Sequence, residues 1–248
     1  MKKVAIAALA LLVASTGAFA QTHVSPKEPE SRPESMAVGP DGTLYIGSQK
    51  DARIYRARPG QAVAEQFIDM RPSALVLGVL TDGASNTLWA CEMVNLDRST
   101  PLLKGKGILR GFDLKSGAPK VTIPLPEQTN ICNDFAVGPD KALYVADTSN
   151  GKVLRLRPGA TSTKAGAPVQ IHTPRVLKGP DGMRVQNGVM YLAEAGNGTV
   201  SRVAIKGDVA TLTTIKDGMD GPCALEPHGK TLWVVERPSN RVTAVPIP

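Results

Sequence analysis

Aromatic side chains are scarce in this 248-residue chain, at 4%, and nowhere do apolar residues recur with the 3.6-residue period of an amphipathic helix. That absence leaves β-structure as the source of a core. Basic residues outnumber acidic ones by 29 to 22, but they form no stripe and are not interleaved with stacking aromatics, which excludes a nucleic-acid surface. The three histidines, His23, His172 and His228, lack ligand spacing, which disfavours zinc. No serine or cysteine paired with a histidine suggests a nucleophilic triad. Beyond residue 13 there is no long apolar run, so no membrane span is expected in the mature chain. Only three cysteines occur, Cys91, Cys132 and Cys223, an odd number without metal-site spacing. Buried free thiols are the reading their spacing favours, and a Cys91–Cys132 bridge is the alternative.

What is there begins with Lys2 and Lys3 ahead of an apolar run, Val4 to Val13, that ends in Ala18-Phe19-Ala20. This is the pattern of a secretory signal peptide, residues 1–20, with an A-x-A cleavage site. The run is about half of what a bilayer requires. No cysteine follows the cleavage point, so a lipid anchor is not suggested, and a soluble periplasmic or secreted product is expected. Loss of Lys2 and Lys3 leaves 27 basic against 22 acidic residues, a charge of +5. Residues 21–33, QTHVSPKEPESRP, carry three prolines and almost no apolar side chains. They read as an extended or disordered leader, and one domain is expected over 34–248.

Within that domain a six-residue pattern occurs five times: TLYIGS (43–48), TLWACE (87–92), ALYVAD (142–147), VMYLAE (189–194) and TLWVVE (231–236). Five of the six Tyr and Trp residues hold its third place, Tyr45, Trp89, Tyr144, Tyr191 and Trp233, at intervals of 44, 55, 47 and 42 residues. A largely apolar triplet precedes the hexamer, as in Met36–Val38 and Phe135–Val137, and a further alternating segment such as VLRLR or RVTAVPI follows it. Units of this length with three or four short strands match propeller blades. A two-sheet sandwich would not explain the fixed period, and solenoid repeats are usually shorter. The wider second interval holds a polar insertion, Asn95 to Gly107, placed to lie over a channel mouth.

Two residues before the triplet stand Glu34, Asn133 and Asp181 in the first, third and fourth units, with apolar places near Val76 and at Pro222 in the second and fifth. In a propeller the first strands line the channel, so these side chains would converge. Two carboxylates and an amide oxygen suit Ca²⁺ or another divalent cation. The hexamer's last place, Ser48, Glu92, Asp147, Glu194 and Glu236, is acidic in four copies. It reads either as an acidic rim at the same mouth or as side chains that bond the next turn.

The segments CND (132–134), PDGM (180–183) and PES (33–35), each opening a strand, resemble the senescence-marker-protein, gluconolactonase and luciferin-regenerating-enzyme family, and more distantly the calcium-dependent phosphotriesterase propellers. The resemblance runs through nearly all of the mature chain. It implies an all-β, six-bladed β-propeller centred on calcium, of which five repeats are recognisable here, hydrolysing lactones or related esters at the top of the channel. Carried over by motif, Glu34 and Asp181 are metal ligands, Asn133 is a ligand or substrate-positioning amide, and Asp181 is also the general base. The family pattern has another blade between CND and PDGM, opened by an Asn-Gly motif. Here Asn187-Gly188 falls after PDGM, in a hairpin turn. The partner expected is a small lactone or ester, with no nucleic acid and no membrane after cleavage. The alternative is a non-catalytic binding propeller, lacking one blade and one metal ligand, that presents its loops to a protein or small ligand.

Overall fold

The computed structural model describes residues 23–71, 75–97, 104–126, 131–157 and 168–248, every regular element among them being a strand. The expected signal peptide lies outside these residues. Blade 1 contains β1 (Ser25–Pro26), β2 (Pro33–Val38), β3 (Leu44–Ser48), β4 (Arg53–Ala57) and β5 (Val63–Asp69). Blade 2 contains β6 (Leu75–Asp82), β7 (Thr87–Asp97), β8 (Lys104–Asp113) and β9 (Pro119–Pro124). Blade 3 contains β10 (Cys132–Val137), β11 (Leu143–Asp147), β12 (Lys152–Leu156) and β13 (Val169–Ile171). Blade 4 contains β14 (Pro180–Gln186), β15 (Val189–Glu194), β16 (Thr199–Lys206) and β17 (Val209–Lys216), and blade 5 only β18 (Pro222–His228), β19 (Thr231–Glu236) and β20 (Arg241–Pro246).

Each sheet is an antiparallel meander in chain order, with one addition: β1 runs parallel to β5 on the outer edge of blade 1. Ser25 N donates to Ala62 O at 3.0 Å and Lys27 N to Ala64 O at 2.9 Å, so part of the segment read as a leader completes a sheet. The hexamers become the second strands, and the turns before them repeat their chemistry. Asp41 Oδ1 accepts Thr43 N and Asp140 Oδ1 accepts Ala142 N, both at 3.1 Å. Asn187-Gly188, with φ of 50° and 77°, turns β14 into β15, as such a pair does in a tight hairpin. The insertion Asn95–Gly107 is not a plain loop, because β7 and β8 prolong their pairing into it as far as Asp97 and Lys104. Its place relative to the channel depends partly on 98–103, outside the described residues.

The sheets stand side by side around a common axis, β2 against β6, β6 against β10, β10 against β14, and β14 against β18. Blades 3 and 4 therefore adjoin directly, and the described residues form five blades where the resemblance implied six. A shared core fills each of these four seams. Ile54 and Ile68 of blade 1 pack with Val79 and Leu88 of blade 2. Leu77 and Leu109 pack with Phe135 and Val145 of blade 3. Ala146 and Ile171 pack with Met183 and Leu192 of blade 4, and Tyr191 and Val200 with Leu225 and Val234 of blade 5. Cys91 and Cys132 form a disulfide between blades 2 and 3, and Cys223 is free and buried. The bridge replaces the favoured reading of three free thiols; blade packing brings together strands that are remote in sequence.

Between blade 5 and blade 1 no shared core occurs among the described residues. Ile46, Tyr55, Ala57 and Ala64 of blade 1 form a cluster closed only by Val24 and Leu44 of the same sheet region. The third-place aromatics register the difference. Tyr45, Tyr144 and Tyr191 belong to the cores shared with the following blade, whereas Trp233 of the last blade is 45% exposed.

Candidate functional site

The first strand of every blade carries a register shift directly after the residue that pairs with the end of the hexamer. Pro33 pairs with Ser48, Val76 with Glu92, Cys132 with Asp147, Pro180 with Glu194 and Pro222 with Glu236. Pairing then resumes at Ser35, Val79, Phe135, Met183 and Ala224. Such β-bulges bend a strand and re-aim a side chain. The first bulged residues are Glu34, Leu77, Asn133, Asp181 and Cys223. Glu34, Asn133 and Asp181 thus hold equivalent positions, as the repeat predicted. In blades 2 and 5 the equivalents are Leu77 and Cys223 rather than Val76 and Pro222. Counting back from the triplet missed a bulge whose length differs between blades.

Glu34, Asn133, Asp181 and Cys223 line a cavity of about 650 Å³ that also reaches Asp134 and Arg184, whereas Leu77 lies in the core between blades 2 and 3. Arg237 Nη2 lies 3.8 Å from Glu34 Oε1 and 3.9 Å from Asp181 Oδ2, so one guanidinium faces both carboxylates from a side chain that is itself well exposed. Asn133 Nδ2 donates to Thr148 Oγ1 at 2.9 Å, and Thr148 Oγ1 donates to Pro180 O at 2.6 Å, tying blade 3 to the start of β14. Asp134 Oδ2 accepts from Met183 N at 2.9 Å and from Arg184 Nη1 at 2.7 Å, but its Oδ1 is buried without a hydrogen-bond partner.

Burial dominates the electrostatics. It pushes Glu34 up to about 8, with the Asp181 and Asp134 charges adding to the rise and Arg237 and Arg184 opposing it. Burial likewise pushes Asp181 up to about 7, against Arg237 and a hydrogen bond from Asn133, with Asp134 adding to the rise. Burial also raises the Cys223 thiol, beside Arg237. A buried carboxylate pair with an orphaned third carboxylate oxygen nearby is a place that favours a cation. With Nδ2 of Asn133 engaged, its Oδ1 is the oxygen left for one. Glu34, Asp181 and Asn133 fit a hard divalent ion in charge and donor type; three side chains supply part of the six to eight oxygens Ca²⁺ takes, and water or substrate would complete them. Among the described residues no cluster of three or more His, Cys, Asp and Glu side chains is arranged to hold a metal.

The hexamer-end acids are not an open rim. Glu92, Asp147, Glu194 and Glu236 are buried, and each bonds side chains of its own blade or of the adjoining turn. Glu92 takes Arg110 at 2.5 Å, Glu194 takes both Arg175 nitrogens at 2.7 and 2.6 Å, and Glu236 takes Arg241 at 2.8 and 2.7 Å. Asp147 takes Asn150 Nδ2 at 2.8 Å. Asp147 and Glu236 thus hold the turn or strand that follows, Glu92 bonds across to β8, and Glu194 holds the connection that leads into β14. Arg184 and Arg237 carry no motif in the sequence, and Asp134, inside CND, and Cys223, one of three cysteines, were not expected at the site. Asp134 adjoins Asn133, and Arg237 follows the last hexamer, but only strand register shows that either faces the others.

The strictosidine synthase-like N-terminal family model matches residues 18–56, which end within blade 1. No curated protein matches the chain. Among solved structures, a catalytically inactive virginiamycin B lyase from Staphylococcus aureus with quinupristin is similar at 18% identity and a TM-score of 0.64, over 89% of this chain and 72% of that one. A chain of a nidogen/laminin complex is similar at 17% identity and a TM-score of 0.67, over 88% and 77%. A luciferin-regenerating enzyme is similar at 17% identity and a TM-score of 0.63, over 82% and 70%. At these identities the likeness shows a shared β-propeller fold.

Proposed function

We propose that the protein is an exported, metal-dependent hydrolase of lactones or related esters, acting where Glu34, Asn133 and Asp181 meet. The observation that carries this reading is the convergence of three oxygen-bearing bulge side chains, from three blades, on one open cavity. The resemblance of CND, PDGM and PES to lactone-hydrolysing propellers supports it. A divalent cation held by Glu34, Asp181 and the Asn133 amide oxygen, Ca²⁺ by its donor chemistry, would supply Lewis-acid polarisation of the ester carbonyl. Asp181 takes a proton from the attacking water as the water oxygen bonds to the carbonyl carbon. It returns that proton to the departing ring oxygen as the acyl C–O bond breaks, so one water is consumed and one hydroxy acid released. Asn133, bonded to Thr148 and Asp181, fixes the base in place.

Titration with Ca²⁺ followed by thermal unfolding tests the reading together with a screen of aldonolactones, acyl lactones and aryl esters. The expected result is a melting temperature that rises with Ca²⁺, and Ca²⁺-dependent turnover that Asp181→Ala abolishes. An unmoved melting temperature, with Asp181→Ala changing neither binding nor hydrolysis, would sink it. Arg237 favours a second reading, a non-catalytic binding propeller, because its guanidinium already faces both carboxylates. Robust Ca²⁺-dependent turnover excludes that reading.

A further inference from the structure

The cavity that holds Glu34 and Asp181 is the open seam itself. Its walls are Met36, Leu44 and Ile46 on blade 1, and Trp233, Val235 and Val242 on blade 5. Met36 and Val242 are 55% and 58% exposed, whereas the equivalent faces at the other four seams are packed against a neighbouring sheet. We propose that this seam is a binding groove for the apolar tail of the substrate, so that the preferred substrates are lactones or esters carrying an alkyl or aryl chain rather than polyhydroxylated ones. The inference rests on the hydrolase reading for the identity of the head group, and on the seam alone for the tail.

The groove has one polar part. Glu34, Asp181, Asp134 and Arg184 are grouped among the buried part of its lining, and the rest is largely apolar, Trp233 included, with the polar side chains of His23, Ser35 and Glu226 interspersed. An occupant that matches both parts is an amphiphile with a carbonyl head and a hydrocarbon tail. The volume, about 650 Å³, lies within the range of cavities that enclose a small organic ligand, roughly 300–1,000 Å³. A sugar lactone would place hydroxyl groups against Met36, Ile46 and Val235, none of which offers a hydrogen bond, and would lose their hydration without replacement.

Trp233 supplies the readout. Titrating the full-length protein with heptylcyclopentanone, whose ring ketone has no leaving oxygen, is expected to change tryptophan emission saturably. Cyclopentanone without the tail is expected not to, and Trp233→Phe is expected to remove the response. In turnover, the ratio of kcat/KM for γ-dodecalactone to that for γ-butyrolactone is expected to fall about tenfold or more in Val242→Asp, where a charge replaces apolar wall; this side chain is exposed enough that folding is not at stake. If lactones are hydrolysed with no preference for a tail and heptylcyclopentanone gives no saturable response, the groove is overturned and the hydrolase reading stands. If no lactone or ester is hydrolysed but heptylcyclopentanone still titrates Trp233, the hydrolase reading fails and the groove stands as a site for apolar-tailed ligands. A concentration-dependent dimer in sedimentation that Val242→Asp dissociates would overturn the groove in favour of an interface between two copies.

Discussion

Glu34 and Asp181 share one guanidinium, which leaves the buried pair short of positive charge, and this makes stability depend on pH in a definite direction. Both carboxyls are raised, from 4.5 to about 8 and from 3.8 to about 7. Between those limits the folded state of the metal-free protein holds protons that the unfolded chain has released. Stability contributed by protonation is therefore fully present below the unfolded values and is lost as pH rises through 7 and 8, by at most about 1.4 kcal/mol per pH unit for each proton. Glu236 works the other way: Arg241 first, then Thr243, lower it to about 2, so its effect appears only in acid. The melting temperature of metal-free protein should fall between about pH 5 and 8, and Glu34→Gln should flatten that fall. A profile equally flat in both proteins would count against it. At this scale the repeat located Glu34, Asn133 and Asp181, because equivalent positions can be counted along the chain. Arg237 and Cys223 escaped because their roles depend on how far each bulge shifts the register, which composition does not encode.

At the scale of the strand, the hexamers were legible because a largely buried second strand with a third-place aromatic recurs in every blade and leaves a period. The bulges were not. What holds them is close packing of first strands around the axis, and glycine permits it. A Cβ on Gly78 would stand 2.5 Å from Asn133 O and 2.9 Å from the Asp134 Cα, and one on Gly182 would stand 2.7 Å from Cys223 O. Backbone on both sides cannot yield as a flexible side chain would. Gly78→Ala should thus cost about 1–3 kcal/mol in denaturant unfolding and, by displacing the bulge that carries Asn133, weaken any Ca²⁺-induced rise in melting temperature. Unchanged stability and an unchanged Ca²⁺ response would show that the strands are not in such close contact. The same element-scale logic explains the acids at the hexamer ends. Their sequence position allowed either a rim or bonds to neighbouring backbone and side chains, and Arg110, Arg175 and Arg241 give the buried carboxylates of Glu92, Glu194 and Glu236 nearer partners than solvent or an ion.

For the whole molecule, the blade count could be read from the repeats, but the place where the ring stays open could not. The resemblance locates the absent blade between CND and PDGM, yet blades 3 and 4 adjoin there, bridged by the Asn133, Thr148 and Pro180 contacts. The opening falls instead between blade 5 and blade 1. Among the described residues blade 5 has three strands and shares a core with blade 4 alone, while blades 2, 3 and 4 have four strands and share cores on both sides. Local opening follows the density of buried contacts. Backbone amides of β19 and β20 should exchange with deuterium well before those of β11 and β15, and a tail-bearing ligand in the groove should slow β19 and β20 selectively, since it supplies the apolar contacts that a further blade would have made. Uniform protection across blades 3, 4 and 5 without ligand would mean that the seam between blades 5 and 1 is closed in solution, and the open groove would then have to be abandoned.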